Sequence, residues 1–152
     1  MTDLVPTETE LTALDAAIDH ALALHDGSPV FTAAVVADGR LLGPVANEVD
    51  KTGDPTRHAE IVAIARAAQD LGTTNLAGAT LVASMQPCEM CLTAMRWAGI
   101  SRLVFAMTRE RAPAFFRFHG LTIEDFARAA DTPFAWAGGL AAVRLAHIYE
   151  SP

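Results

Sequence analysis

The sequence is short of cysteine and contains no long apolar run, and each shortage excludes a class of protein. Two cysteines in 152 residues cannot build the disulfide framework of a small secreted domain. No uninterrupted apolar run approaches the roughly 18 to 20 residues that span a bilayer. The first residues, Met1 to Pro6, lack the basic stretch and apolar run of a secretory signal. We therefore expect a cytoplasmic protein, without contact to a membrane, that folds as one domain over residues 1–152.

Basic residues are outnumbered by acidic ones. Eleven Lys and Arg face 18 Asp and Glu, which gives a formal net charge of -7. Such a charge repels polyanions and disfavours a dedicated nucleic-acid-binding protein. Five arginines nevertheless cluster between positions 96 and 117, where Glu110 is the sole acid: Arg96, Arg102, Arg109, Arg111 and Arg117. This cluster predicts either a solvated face or a contact to a phosphate.

The periodicity of apolar residues alternates between helix and strand. Thr7 and Glu10 resemble a capping box and open a predicted helix over 8–25. Short apolar runs predict strands over 30–37, 41–47, 79–84, 101–107 and 134–137, with a hairpin turn at Asp38-Gly39. Further helices are predicted over 54–71, 87–97 and 122–130, with a closing helix through Tyr149. Strands separated by single helices imply parallel pairing, so the pattern predicts an α/β fold with helices on both faces of the sheet.

Four residues carry the chemistry: His58 and Glu60 at one predicted helix start, and Cys88 and Cys91 at another. A catalytic zinc takes three nitrogen or sulfur ligands from the protein and keeps one position for water. One His and two Cys meet that count, and the N-terminal end of a helix favours thiolates. Glu60 suits the role of proton shuttle, since a fourth protein ligand would close the open position.

The spacing constrains how these residues can meet. Cys88 and Cys91 lie on one helix face, whereas His58 and Glu60 would diverge in a helix interior, at roughly 3.6 residues per turn. They converge only at a first turn, where side chains lean toward the N-terminus. The site is therefore predicted to lie where two helix N-termini meet. Alternatively, the cysteine pair alone is typical of a redox motif or a structural zinc half-site.

These residues resemble the zinc deaminases, which carry H-x-E and P-C-x-x-C motifs. The matching segments are His58-Ala59-Glu60 and Pro87-Cys88-Glu89-Met90-Cys91. The residues flanking them over 54–61 and 91–98, and the run 29–36, resemble the guanine deaminase and tRNA adenosine deaminase branch. The resemblance covers about 8–107. It implies a cytidine-deaminase-like three-layer α/β/α sandwich with a five-stranded mixed sheet, one Zn²⁺ per chain and a homodimer.

The resemblance also suggests substrate contacts. Asn47 falls where the branch keeps an asparagine that holds the base, although Asn is also common at strand ends. Further candidates are Phe31, Ala59, Pro87 and Trp97, and core packing is the alternative for the two aromatics. The aromatic cluster at 115–119 is predicted to form a lid or a dimer contact. His119 is its one histidine, and we expect His20, His25 and His147 to be surface or packing residues.

Three features depart from the branch. Thr32 or Ala33 stands where a glycine is usual. Guanine deaminases carry an acidic residue after the last core strand, for which Glu110, Glu124 and Asp125 are candidates that do not align. The segment from Thr108 to Pro133 matches no version of the branch, and substrate identity depends largely on it.

The predicted function is zinc-dependent hydrolytic deamination of a small nucleobase or nucleoside, and a guanine-like purine is the preferred substrate. The negative net charge of the chain disfavours nucleic acid as the substrate. The alternatives are an RNA-directed tRNA adenosine deaminase and a deaminase of cytosine or another amino-heterocycle. A fourth possibility is a zinc-stabilised module without activity. Glu60 speaks against that module, because a structural zinc site has no use for a proton shuttle.

Overall fold

The computed structural model describes residues 4–150. Its helices are α1 (Glu8–Leu24), α2 (Val49–Thr52), α3 (Ala59–Leu71), α4 (Glu89–Trp97), α5 (Ile123–Ala129) and α6 (Ala146–Tyr149). Its strands are β1 (Thr32–Ala37), β2 (Arg40–Ala46), β3 (Thr80–Met85), β4 (Arg102–Met107) and β5 (Ala135–Ala137). Single 3-10 turns occur at Pro113–Phe115 and Ala142–Leu145. Within residues 4–150, no helix has the length and apolar character needed to cross a bilayer.

The strands form one mixed sheet in the order β2-β1-β3-β4-β5. The predicted hairpin pairs β1 with β2, and the predicted parallel pairing holds for β3 with β4 and for β4 with β5. The prediction of parallel pairing is wrong for β3 and β1, which are neighbours in the sheet and pair antiparallel. The hairpin places β1 between β2 and β3, so the crossover through α3 passes over β1 before the chain re-enters the sheet.

Helices cover both faces of the sheet, which confirms the three-layer sandwich. Successive residues of a strand point to opposite faces, and β1 is buried along its whole length. Ala33 and Val35 pack with α3, α4 and α5 on one face. Ala34 and Val36 pack with α1 and the C-terminal turns on the other. The short apolar strands therefore belong to a core that is closed on both sides.

The helix predicted from Asp54 begins later. Asp54 Oδ1 accepts hydrogen bonds from Thr56 N at 2.8 Å and Thr56 Oγ1 at 2.6 Å. These bonds hold 54–56 in a turn, because a side-chain acceptor competes with the helix for the backbone N–H. The helix starts at Ala59 with His58 as its N-cap residue. Helix α4 likewise begins later than predicted. It starts at Glu89, with Cys88 as its N-cap residue, and not at Pro87.

The predicted capping box forms and leads into a buried ion pair. Thr7 N donates to Glu10 Oε2 at 2.7 Å, and Thr7 Oγ1 accepts from Glu10 N at 3.2 Å. Glu10 is buried, and its carboxylate accepts from Thr80 Oγ1 and from Arg102 Nε, each at 2.6 Å. The hydrogen bond from Arg102 is the main reason why the pKa of Glu10 falls from 4.5 to about 2.

Glu10→Gln should lower the free energy of unfolding at pH 7 by about 2 kcal/mol, because Arg102 then loses its charged partner. The folded-state pKa lies below the unfolded one, so the contribution of this carboxylate is complete above about pH 4.5 and is lost as the pH falls toward 2. Urea unfolding of both proteins between pH 7 and pH 3 should show the difference shrinking. The control is Glu8→Gln, which alters an exposed carboxylate on the same turn. An equal loss in both variants would contradict the pairing.

Candidate active site

Two helix N-termini meet beside the carboxyl end of β3, as the spacing predicted. His58 is the N-cap residue of α3, and Glu60 lies in its first turn. Cys88 is the N-cap residue of α4, and Cys91 lies one turn further on. N-cap residues project off the tip of a helix. This explains how residues two apart in sequence can serve one site.

The three ligand candidates lie close enough to hold one ion. His58 Nδ1 is 3.5 Å from Cys88 Sγ and 3.7 Å from Cys91 Sγ, and all three ligand atoms lie within 4.8 Å of one another. Tetrahedral zinc, with its usual bond lengths to nitrogen and sulfur, separates such atoms by roughly 3.5 Å. Two thiolates and one imidazole are the donor types that zinc prefers. The group therefore fits Zn²⁺ in both chemistry and spacing.

The surroundings of the three ligand candidates favour negative charge on a cysteine sulfur. The pKa of Cys88 falls to about 4, chiefly because Cys91 hydrogen-bonds to its sulfur and secondly because His58 does. Cys91 is buried and its pKa is raised, first by its hydrogen bond to Cys88 and then by burial. The positive ends of two helix dipoles stabilise negative charge at the same place. The metal-free site thus favours a thiolate at Cys88, and binding of an ion would release protons from the site, because zinc binds thiolates and neutral imidazole.

Glu60 is 7 % exposed and lies beside the cysteines. Burial raises its pKa from 4.5 to about 7, and the charge of the Cys88 thiolate adds to that rise. A carboxyl group whose pKa lies near neutrality can both accept and release a proton at physiological pH. The geometry therefore suits Glu60 to proton transfer.

A cavity of about 170 Å³ opens in front of Glu60, well below the roughly 300 Å³ at which sites for drug-sized ligands begin. Its walls combine three aromatic rings and a methionine with polar and ligand side chains: Phe31, Asn47, His58, Glu60, Met85, Gln86, Cys88, Phe115, Phe116 and Arg117. Phe115 meets Phe31 edge-on, with ring centroids 5.2 Å apart. The size and the walls suit a single flat ring system.

Asn47 and Phe31 line this cavity, and their contact with the substrate stays a prediction. Asn47 N donates to Phe31 O at 3.0 Å, which ties the end of β2 to the start of β1. Asn47 Oδ1 accepts from Val49 N at 2.8 Å. The amide oxygen is thereby engaged, so the hydrogen-bonding groups that Asn47 offers to a ligand are the donors of its NH₂ group.

Trp97 lies elsewhere, so the prediction that it contacts the substrate is wrong for the cavity of its own chain. It ends α4, the opposite end of the helix from Cys88, and is 90 % exposed. Ala59 and Pro87 are buried next to the ligands but do not line the cavity. Their role in substrate binding stays a prediction.

The candidates for a second acid do not reach the cavity. Glu110 and Glu124 line a separate cavity of about 420 Å³. Asp125 forms a capping box with Thr122 and pairs with Arg128. Among the described residues 4–150, Glu60 is the one carboxylate on the cavity wall. The prediction that one of these three acids assists catalysis is therefore not supported by their positions.

The unmatched segment supplies part of the cavity wall. Phe115, Phe116 and Arg117 line the cavity, whereas Phe118 and His119 are exposed. Tyr149, the single tyrosine, stacks on Phe31 with centroids 5.3 Å apart, and a hydrogen bond of 2.8 Å joins its hydroxyl to Ser84 Oγ. The aromatic cluster is visible in the sequence, and Arg117 is visible there as one of the five clustered arginines, whereas no pattern points to Gln86 or Tyr149.

The five arginines between positions 96 and 117 do not form one basic surface. Three pair with acids of other segments: Arg96 with Asp131, Arg102 with Glu10 and Arg111 with Glu150. Arg109 donates to backbone carbonyls of Phe118 and His119, and Arg117 to that of Ala114. The fold thus uses most of this positive charge internally, and neither a solvated face nor a phosphate contact describes the cluster as a whole.

Comparisons with known proteins agree with this site. Residues 7–107 match the family model of the cytidine and deoxycytidylate deaminase zinc-binding region. The chain is 37% identical over 107 residues to a tRNA(Ile)-lysidine synthase of Deinococcus deserti, covering 66% of this chain and 20% of that protein. It is 40% identical over 80 residues to the guanine deaminase of Bacillus subtilis, covering 53% of this chain and 51% of that enzyme. The chain thus spans a fifth to a half of these relatives.

The fold has a solved counterpart along almost its whole length. A structure from work on A-to-I editing by tRNA:A34 deaminases superposes with a TM-score of 0.69 at 26% identity, covering 93% of this chain and 99% of that one. The predicted resemblance and the predicted fold are both confirmed. The relatives include a guanine deaminase as well as tRNA deaminases, so the comparisons leave the substrate open. With the match over residues 7–107 and the His/Cys/Cys group that can hold one metal ion, the chain belongs to the cytidine and deoxycytidylate deaminase zinc-binding family.

Proposed function

We propose that this chain is a zinc-dependent aminohydrolase that deaminates a small purine-like base, with a guanine-like ring as the first choice. The observation that carries the proposal is the position of Glu60, a buried carboxyl group beside the three candidate zinc ligands. It opens onto an aromatic cavity of about 170 Å³. A structural zinc site would need neither the carboxyl group nor the cavity.

The reaction replaces an exocyclic amino group by oxygen. Zinc, when held by His58, Cys88 and Cys91, supplies the Lewis acidity that makes water nucleophilic near neutral pH. The oxygen of water adds to the ring carbon, the C–N bond breaks, and ammonia leaves. Glu60 takes one proton from the water and gives it to the ring nitrogen, then takes the second proton from the added hydroxyl and gives it to the departing amine, which leaves a ring carbonyl and ammonia. Phe31 and Phe115, whose rings contact each other, form one wall beside the substrate ring, and the Asn47 amide donates to an acceptor on its edge.

The small volume and the internal use of the arginines favour a free base over RNA. An enzyme that clamps an RNA backbone needs unpaired Lys and Arg along the strand. Here three of the five clustered arginines pair with carboxylates. The formal net charge of -7 also disfavours binding to RNA.

One observation favours a nucleoside or RNA-bound adenosine as the second candidate. A wider groove of about 700 Å³ adjoins the small cavity and shares four of its residues: Phe31, Asn47, His58 and Phe115. Its outer part carries Asp50 and Lys51. A ribose could lie in this groove while its base occupies the inner cavity.

Ammonia release from the zinc-loaded protein tests the proposal. The panel comprises guanine, guanosine, adenine, adenosine, cytosine, cytidine and a tRNA anticodon stem-loop. We expect release from a free purine, guanine first. Release from the stem-loop alone would move the assignment to RNA, and release from cytosine or cytidine would exclude the purine. No release from any compound, with zinc bound, would reject nucleobase deamination.

We further propose that the face around Trp97 is the contact of a homodimer. Two grooves of about 530 and 500 Å³ flank this side chain and are lined largely by apolar residues of α3, α4 and α5, among them Leu92, Phe126 and Ile64. An exposed tryptophan between apolar grooves is typical of a protein–protein contact.

Trp97→Glu should dissociate this dimer, because a carboxylate would be buried without a partner. Sedimentation equilibrium of the wild type and the variant measures the change. Val143→Glu is the matched control, since Val143 is equally apolar, is 76 % exposed and lies in the 3-10 turn on the other face of the sheet. A monomeric wild type, or a dimer that survives the Trp97 change, would contradict the assignment.

A further inference from the structure

Residues 113–121 cover the catalytic cavity although they contain little regular structure. Only the turn at Pro113–Phe115 is helical. Phe115, Phe116 and Arg117 line the cavity, and Phe116 is buried. The remaining residues of the segment are exposed. A segment with so few buried side chains needs other contacts to stay in place.

Glu89 supplies one such contact from the helix of the zinc ligands. It is the first residue of α4, between Cys88 and Cys91, and is 7 % exposed. Its Oε1 accepts hydrogen bonds from Arg117 N at 3.1 Å and from Phe118 N at 2.9 Å. A carboxylate that accepts from backbone N–H groups makes stronger hydrogen bonds than a neutral acceptor. Glu89 thereby holds the backbone of the residue that lines the cavity and of the next one.

Arg109 holds the other half of the segment with the opposite charge. Its guanidinium donates to the carbonyl oxygens of Phe118 at 3.3 Å and His119 at 2.8 Å, and to that of Leu121. It also lies 5.5 Å from the centre of the Phe116 ring, within the range of a cation–π interaction. The backbone N of Arg109 donates to Gln86 Oε1, a cavity residue, at 2.9 Å.

We propose that Glu89 and Arg109 are positioning residues that hold 113–121 as a fixed lid over the catalytic cavity. Glu89 accepts hydrogen bonds from backbone N–H groups of the lid, and Arg109 donates hydrogen bonds to its carbonyl groups, so that both kinds of backbone group are held. Phe115, Phe116 and Arg117 then stay within reach of a ring bound next to Glu60, and the cavity stays too small for bulkier rings. The effect on turnover rests on the proposed function, whereas the anchoring of the lid does not.

Limited trypsin digestion of the zinc-loaded protein without substrate tests the anchoring. The bond between Arg117 and Phe118 is flanked by the two N–H groups that Glu89 holds. Glu89→Ala should be cut there at least about tenfold faster than the wild type, because two charge-assisted hydrogen bonds are lost. Glu89→Gln keeps an acceptor oxygen and should stay close to the wild-type rate. Arg109→Met should also be cut faster at this bond, although Arg109 is far in sequence from every zinc ligand.

Glu110→Ala is the matched control, since it removes an exposed carboxylate next to Arg109 and should leave cutting at Arg117 unchanged. Zinc content is measured for every variant. Wild-type cutting rates in both Glu89→Ala and Arg109→Met would overturn the proposal. So would rapid cutting confined to a Glu89→Ala protein that has lost its zinc, because the lid would then depend on the metal and not on these two side chains.

Kinetics with the substrate found in the panel test the consequence for binding. Glu89→Ala and Arg109→Met should raise KM about tenfold and change kcat less than about threefold, because the lid contacts the ring without taking part in proton transfer. Glu89→Gln should restore KM. A lower kcat at unchanged KM would indicate loss of active protein and would overturn the role in binding. Should no substrate emerge, the proposed function fails while the digestion still decides whether the lid is anchored.

Discussion

Glu60→Gln is expected to lower kcat by about three orders of magnitude while zinc remains bound. The amide has the shape of the carboxyl group but cannot take a proton from water at neutral pH. The substrate should still bind, so KM should change much less than kcat. Because burial raises the pKa of Glu60 in the metal-free protein, the metal-free variant should be at least as stable as the metal-free wild type above pH 7.

Three measurements on the same preparations test this expectation: ammonia release, zinc by atomic emission, and thermal unfolding. Glu110→Gln is the control carboxylate, because Glu110 lies outside the cavity, and its activity should stay within about twofold of the wild type. Near-complete turnover by Glu60→Gln would rule out the proposed proton transfer. Loss of zinc from that variant would instead place Glu60 among the ligands.

The second large effect is expected from Cys91→Ala. Cys91 is fully buried beneath the cavity and is within 3.7 Å of His58. Its removal leaves two protein ligands, so zinc content and turnover should both fall to background. The free energy of unfolding should fall by about 4 kcal/mol when the wild type is held in a thousandfold excess of zinc over its dissociation constant.

A chelator separates the contribution of the metal from that of the side chain. It should destabilise the wild type by the amount that zinc contributes and leave Cys91→Ala unchanged. The difference between the two metal-free proteins then measures the packing of the sulfur, about 1 kcal/mol for a group of this size, together with its hydrogen bond to Cys88. Full zinc occupancy in Cys91→Ala would show that the three ligands have been wrongly identified.

Much of the fold follows from local patterns. The hairpin, the capping box at Thr7 and the helices over both faces all have signals within a few residues of the sequence. The antiparallel pairing of β1 with β3 has none, because periodicity says which residues are buried but not which strands are neighbours. The start of α3 was misplaced because Asp54 and Thr56, which are good helix openers, bond to each other instead.

The metal centre was predictable and its surroundings were not. His58, Glu60, Cys88 and Cys91 form two short motifs whose residue types allow little other chemistry. Glu89 lies inside one motif, but its partners are backbone groups 28 and 29 residues away. Backbone N–H groups are the same in every sequence, so such a contact leaves no trace in composition. Trp97 was misjudged for a related reason, since closeness along the chain to Cys91 says nothing about which end of α4 faces the cavity.

The stacking of Tyr149 on Phe31 has a consequence for how selectivity can change in this fold. The family match ends at residue 107, yet Phe115 and Phe116 line the cavity from beyond that point, and Tyr149 stacks on the cavity residue Phe31. Under the proposed function, the first two thirds of the chain hold the metal-ligand candidates and Glu60, and the last third adds part of the cavity wall. Exchange of the C-terminal third between relatives should transfer ring preference and leave the chemistry intact, so new substrates can arise without any change in the metal-binding motifs.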